Sequence, residues 1–346
     1  MKPMKTILVT GGAGFIGSNF INYIFPRYNY KIIVLDALTY AGNLENISKE
    51  IRDSDRFEFW YGNLNNLDLV IDIVSRSDII VHFAAETHVA RSLYLNRVFF
   101  ITDVLGTQSL INAVSKFSDQ IERFVHISTS EVYGTACHKG RPMDEDHPLN
   151  PTSPYAAAKA GADRMVYSYM KAYDLPGIII RPFNNYGPLQ HLEKVVPRFI
   201  TSAILKEPLS IHGDGSASRD WLYVGDTAVA VDKAIHAPIE KVRGEVFNIG
   251  TGSDLSVMEI AKIIQKKFRL SNKYLQFGME RMGQVQKHLS STKKAERVLG
   301  FKAKVSFEQG LKKTIKWYKE NRHMWEPHIS MRKVPVKAKD GSIVWY

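Results

Sequence analysis

Tyr155 and Lys159 stand one helical turn apart, and Thr129, Ser130 and Glu131 close a short apolar run a little upstream. On a helix, residues four apart share a face. A lysine ammonium beside a phenol favours phenolate, and a phenolate can take a hydroxyl proton while hydride leaves the same carbon. Thr129 can hydrogen-bond that hydroxyl. Glu131 adds a carboxylate beyond a strand tip, the place where open α/β sheets bind ligands. Together these residues read as redox chemistry with an added acid/base. A helix tyrosine with a solvated lysine, and an ordinary turn carboxylate, are the plain structural readings of the same residues.

What separates the two readings lies upstream. Gly11, Gly14 and Gly17 follow an apolar run and open a helical pattern. The first glycine permits a tight turn, the second lets backbone approach a pyrophosphate, and the third lets helix pack on strand. The helix N-terminus, with Phe15 and Ile16 in its first turn, then offers amides to the phosphates. Asp36 ends the next apolar run roughly 20 residues on, where a carboxylate accepts from both ribose hydroxyls and repels a 2′-phosphate. NAD is therefore expected rather than NADP. Asn43, Asn63, Leu64 and Ala84 are placed on the cofactor side with them, Asn63 toward the adenine edge. The eleven histidines show no metal-ligand spacing, so no metal is expected.

The elements that must position these groups follow a regular alternation. Short apolar runs at 5–10, 31–36, 78–84, 123–128 and 177–181 have the look of buried parallel strands. Helical patterns at 98–116 and 153–173 lie between them. This predicts an α/β fold with a doubly wound parallel sheet of Rossmann type. After Pro182, loops rich in Asn, Gly and Pro alternate with short helices such as 196–205, and 246–250 looks like one more strand returning to the sheet. The reading is a cofactor domain over 1–183, an interleaved, smaller substrate-binding region over 184–325, and a basic tail over 326–346.

Composition sets the class. A chain of 346 residues, 45% of them hydrophobic, can bury a large core. The single cysteine, Cys137, excludes an internal disulfide framework and fits a reducing, cytoplasmic setting. Strand pattern begins at Lys5, so no signal peptide is expected, and no apolar run approaches the ~20 residues of a membrane span. The net charge of +11 comes from scattered lysines and arginines. Without aromatic interleaving it argues for a solvated surface rather than nucleic-acid binding.

Longer motifs bring a family into view. TGGAGFIGSNF (10–20), LDALTYAGNLENI (35–47), HFAAETHVARSL (82–93), STSEVYG (128–134), SPYAAAKAGAD (153–163), RPFNNYGPLQHLEKVVPRFI (181–200) and HGDGSASRDWLYVGD (212–226) resemble extended short-chain dehydrogenase/reductases. Within them, the chain resembles the nucleotide-sugar 4,6-dehydratases, over nearly its whole length to about Tyr318. The resemblance implies that Tyr155, assisted by Lys159, takes the 4-OH proton as the C4 hydride passes to NAD. Glu131 then removes the C5 proton, water leaves from C6, and hydride returns to C6 to give a 4-keto-6-deoxy sugar. It also implies a homodimer built through the helices 98–116 and 153–173. His88, Arg91, Asn184, Arg198, Arg219 and Arg281 fall on the substrate side, Arg219 and Arg281 as forks for a pyrophosphate.

Departures bear on the substrate. The dTDP-glucose enzymes carry an aspartate at Ser130, thought to protonate the departing 6-OH. GDP-mannose 4,6-dehydratases and UDP-glucuronate decarboxylases look like Thr-Ser-Glu there, so one glutamate can serve as base and then acid. Ala90 replaces an aspartate, Asp103 an asparagine, and 280–285 (ERMGQV) an Asp-Arg-Pro-Gly-His-Asp segment. The reading is a 4,6-dehydratase acting on UDP-N-acetylglucosamine or another nucleotide hexose. Decarboxylation of a nucleotide-linked glucuronate, with Arg91 on the carboxylate, and 4-epimerisation are the alternatives. A dinucleotide-binding sensor or scaffold without turnover is the non-enzyme alternative.

Overall fold

The computed structural model describes residues 4–135, 141–280, 283–337 and 342–345. Cys137 and Arg281 lie outside the described residues. Seven parallel strands form the main sheet: β1 (Thr6–Thr10), β2 (Lys31–Asp36), β3 (Phe57–Tyr61), β4 (Ile79–His82), β5 (Arg123–Ile127), β6 (Gly177–Pro182) and β7 (Glu245–Ile249). Their order is β7-β6-β5-β4-β1-β2-β3, which reverses direction beside β1 and opens a crevice at the strand ends between β1 and β4. β1, β2, β4 and β5 are almost wholly buried, as a sheet covered on both faces requires. One face packs through Ile7, Val9, Val34 and Val81, the other through Leu8, Ile33 and Ile80.

The returning strand expected near 246–250 is β7, paired in parallel with β6 from Glu245↔Ile178 to Ile249↔Pro182. It follows α5 (Val224–His236 here), so the substrate region is threaded back into the cofactor sheet. The helices that matter are α1 (Phe15–Ile24), α2 (Gly106–Lys116), α3 (Pro154–Ala172), α4 (Val195–Leu205) and α5. α3 begins where Ser153 Oγ accepts from the Ala156 N–H and Pro154 takes the first turn, an arrangement that fixes the helix start. A π-helical turn, Phe100–Leu105, precedes α2.

The run Asn96–Lys116 is, by length and composition, long and apolar enough to cross a membrane, contrary to expectation. In this fold its Leu110, Ile111 and Val114 are buried in the sheet core. Beyond Pro182 a small three-stranded sheet (Asn184–Tyr186, Ser218–Tyr223, Asp254–Ser256) and a pair (Leu209–His212, Leu275–Gly278) carry the substrate region. The tail turns at Glu326–Arg332 and forms a hairpin, Pro335–Lys337 with Ile343–Trp345. Val334 packs against Ala90 on the cleft wall.

Candidate active site

A cleft of about 430 Å³ runs across the strand ends from the glycine loop to the small sheet. Its cofactor half is shaped by missing side chains. Gly11 has φ +68°, and a Cβ there would lie 2.5 Å from the Ala84 amide nitrogen; at Gly17 it would lie 2.4 Å from the Gly11 carbonyl oxygen. Neither position tolerates a side chain. No side chain caps α1 at Gly14, so its first amides are available to an anion. Asp36 receives the Ala13 N–H on Oδ2 (2.9 Å) and the Leu38 N–H on Oδ1 (2.8 Å). Burial pushes its carboxyl up, against those two bonds. Each oxygen keeps a further acceptor site for a ribose hydroxyl.

Gly14, Phe15, Ile16, Asn63, Leu64 and Ala84 line the same half. The cradle, the helix end and the carboxylate together fit a dinucleotide without a 2′-phosphate. Asn43 departs from expectation. Its carboxamide accepts from the Glu45 N–H to cap the turn Leu44–Asn46, and its backbone N–H donates to Ala13. It braces the loop from behind and is not among the cleft-lining residues.

The chemical half sits at the tip of β5. Thr129 Oγ1 accepts from the Glu131 N–H (3.2 Å), capping the short turn Ser130–Tyr133, and its hydroxyl is hydrogen-bonded to Tyr155. Lys159 is buried and donates to the Ile127 carbonyl at 2.8 Å. Burial pushes the Tyr155 phenol well up, with Thr129 opposing. Burial pushes Lys159 down, with Asp103 and Asp163 opposing. Those two side chains favour the charged form of the lysine. Asp103 is buried in the π-helical turn, accepts from the Glu86 N–H (2.8 Å), and has no partner at Oδ2. Burial raises its carboxyl, with Lys159 opposing.

Glu131 faces the substrate half. Arg219 Nε lies 4.0 Å from its Oε1, so this guanidinium is drawn beside the carboxylate. His88, Asn184 and Arg198 line the cleft, and Asn184 Oδ1 is buried without a partner, a ready acceptor for a sugar hydroxyl. Arg91 is the second departure. Its Nε donates to Glu193 at 2.7 Å and its guanidinium lies 4.2 Å from the Tyr40 ring centroid. A buried carboxylate captures it, so it does not line the cleft.

Three groups escaped the sequence reading. Glu193 is buried and also accepts from the Tyr40 hydroxyl (2.8 Å). Asp220 caps the loop at Thr251 and Gly252. His288 is buried against Ser130 and Glu131. The first two had a weak signal, acidic residues within the RPFNNYGPLQHLEKVVPRFI and HGDGSASRDWLYVGD motifs. His288 had none, because only folding brings it to a residue 158 positions away.

Comparisons with known proteins bear on this arrangement. Residues 8–314 match the family model for GDP-mannose 4,6 dehydratase. The low-salt glycan biosynthesis protein Agl12 of Haloferax volcanii is 43% identical, over 90% of this chain and 98% of that protein. A dTDP-glucose 4,6-dehydratase of Streptomyces niveus is 39% identical, over 93% and 95%. A solved dTDP-glucose 4,6-dehydratase of Streptomyces venezuelae with NAD bound superposes with a TM-score of 0.88 at 37% identity, covering 93% of this chain and 99% of that one.

Proposed function

The chain belongs to the GDP-mannose 4,6 dehydratase family, and from that premise we propose that it is a nucleotide-sugar 4,6-dehydratase, a hydro-lyase working with NAD. The observation that carries the reading is the placement of Thr129, Glu131, Tyr155 and Lys159 along one cleft with the glycine cradle and Asp36. NAD, held by the Gly11–Gly17 loop, Asp36 and the Asn63–Leu64 segment, supplies the hydride acceptor at C4 and returns the hydride at C6. Tyr155 takes the 4-OH proton, with Thr129 on the same oxygen and Lys159 stabilising the phenolate. The resulting ketone acidifies C5–H, and Glu131 is the base within reach. Asn184, Arg198 and Arg219 orient the sugar and its diphosphate, while His88 forms part of the wall.

The sugar we propose is a nucleotide-linked glucose. The relative from Streptomyces niveus and the structure from Streptomyces venezuelae are named for dTDP-glucose, and neither is named for the N-acetylglucosamine expected from sequence. Decarboxylation loses its support with Arg91, which is paired to Glu193. We further propose a homodimer formed through Asn96–Lys116 and α3. Incubation with a panel of nucleotide sugars, followed by mass spectrometry, tests the reaction. Loss of one water from a nucleotide glucose is expected; loss of carbon dioxide from a glucuronate, an unchanged mass with inverted C4, or no reaction would each overturn it.

A further inference from the structure

Dehydration needs an acid at C6, and Ser130 occupies the position from which an aspartate would supply it. A second group stands behind the serine. His288 is fixed by its own backbone: its N–H donates to Ser218 (3.1 Å), and the next carbonyl, Leu289, accepts from Met143 (2.8 Å). The ring is buried, edge-on to Phe183 at 6.1 Å between centroids. Its Nε2 lies 2.8 Å from the Gly134 carbonyl oxygen. A carbonyl only accepts, so Nε2 carries the hydrogen, and Nδ1 is the nitrogen that can gain or lose a proton. Nδ1 is 3.3 Å from Ser130 Oγ and 3.8 Å from Glu131 Oε1. The Gly134 end admits only glycine: φ is +70°, and a Cβ there would lie 2.1 Å from the Asn150 carbonyl oxygen.

We propose that His288 is the positioning residue of a proton relay, Glu131–His288–Ser130, that carries the proton taken from C5 to the hydroxyl leaving C6. The proposal rests on the 4,6-dehydratase reading. Each transfer balances. The Glu131 carboxylate takes the C5 proton as that bond's electron pair moves toward the C4 ketone. Glu131 then gives the proton to Nδ1. Nδ1–H passes it to Ser130 Oγ as the serine's own hydrogen moves to the C6 oxygen. The C6–O bond breaks with its electrons on oxygen, water departs, and a C5–C6 double bond remains. His288, Ser130 and Glu131 end as they began. The product's C5 hydrogen comes from solvent through Glu131, and the proton held by Tyr155 is released.

The electrostatics suit a relay rather than a store. Burial pushes His288 down to about 4, with Arg219 and His147 acting the same way and Glu131 and the Gly134 carbonyl opposing. That lies close to an ordinary carboxylic acid, so a proton passes through the ring without being trapped.

The test is rapid mixing of NAD-loaded enzyme with the nucleotide glucose, following reduced nicotinamide and dehydrated product together. Wild type comes first: no dehydration there overturns the 4,6-dehydratase premise, and the relay with it. In His288→Asn and in Ser130→Ala, C4 oxidation should persist, reduced nicotinamide should build up, and product formation should fall about 10²- to 10⁴-fold. Adding Ser130→Asp to His288→Asn should restore product, because an aspartate donates directly; a purely structural histidine would not be rescued this way. Cofactor content and heat unfolding check each fold, and Ser130→Ala removes only a hydroxyl should the histidine variant not fold. Wild-type product rates in both single variants would overturn the relay and leave Glu131 as sole base and acid. Equal loss of oxidation and dehydration, or no rescue by Ser130→Asp, would also overturn it.

Discussion

At the scale of single residues, the proposed reaction divides its labour between two proton acceptors with different surroundings. Tyr155 sits beside Thr129, with Lys159 four residues on in the same helix, whereas Glu131 sits between Arg219 and His288. Separate surroundings predict separable failures. Tyr155→Phe removes the group that takes the 4-OH proton, so no reduced nicotinamide should form and turnover should fall by about 10²- to 10⁴-fold. Glu131→Gln leaves that group intact and removes the base at C5. Reduced nicotinamide should then form in the first turnover and persist without product. Single-turnover absorbance distinguishes the two, and the same block in both variants would refute the division.

Elements hold these residues through buried polar ties, and Glu193 is one whose charge can be tested. It lies just ahead of α4 and receives bonds from Tyr40, in the loop after β2, and Arg91, in the helix Val89–Tyr94. Burial raises a carboxyl, but His88, Lys194 and His191 with the Arg91 bond outweigh it and hold Glu193 at about 2. Its folded value lies below its unfolded one, so it adds stability above the ordinary carboxylate range and loses it as pH falls toward 2. Glu193→Gln should therefore cost about 3 kcal/mol at pH 7, a deficit that shrinks on acidification in urea titrations. A constant deficit would mean the side chain acts by shape alone. The same tie shows where sequence reading stops. β1, β2 and β4 are legible because a sheet buried on both faces demands unbroken apolar runs. β3 is not, since Phe57–Tyr61 is an edge strand with mixed residues and partial burial. The small sheet is held by short strands and by Asp220, whose partners lie more than 30 positions away. The glycine cradle, Asp36 and the Tyr155–Lys159 pair are local patterns and were visible; His288, and the capture of Arg91 by Glu193, are products of long-range packing.

At the scale of the whole molecule, an apolar patch among the described residues is left uncovered by the fold. Val98, Phe100 and Leu105 are 40%, 42% and 49% exposed, with Tyr94 and Leu95 beside them. Their opposite side carries Asp103 toward Lys159. An apolar patch along a continuous helical run suits a two-fold contact, in which the same face meets itself. Each chain also carries a net charge of +11, so two copies repel through the rest of their surfaces. Screening reduces that repulsion and leaves apolar burial intact. The proposed dimer should therefore tighten as salt rises, opposite to one held by surface ion pairs. Phe100→Glu with Leu105→Glu should sediment as a monomer and lose the rise of unfolding temperature with protein concentration that a dimer shows. If that variant remains dimeric, or if wild type dissociates in high salt, the contact lies elsewhere on the surface.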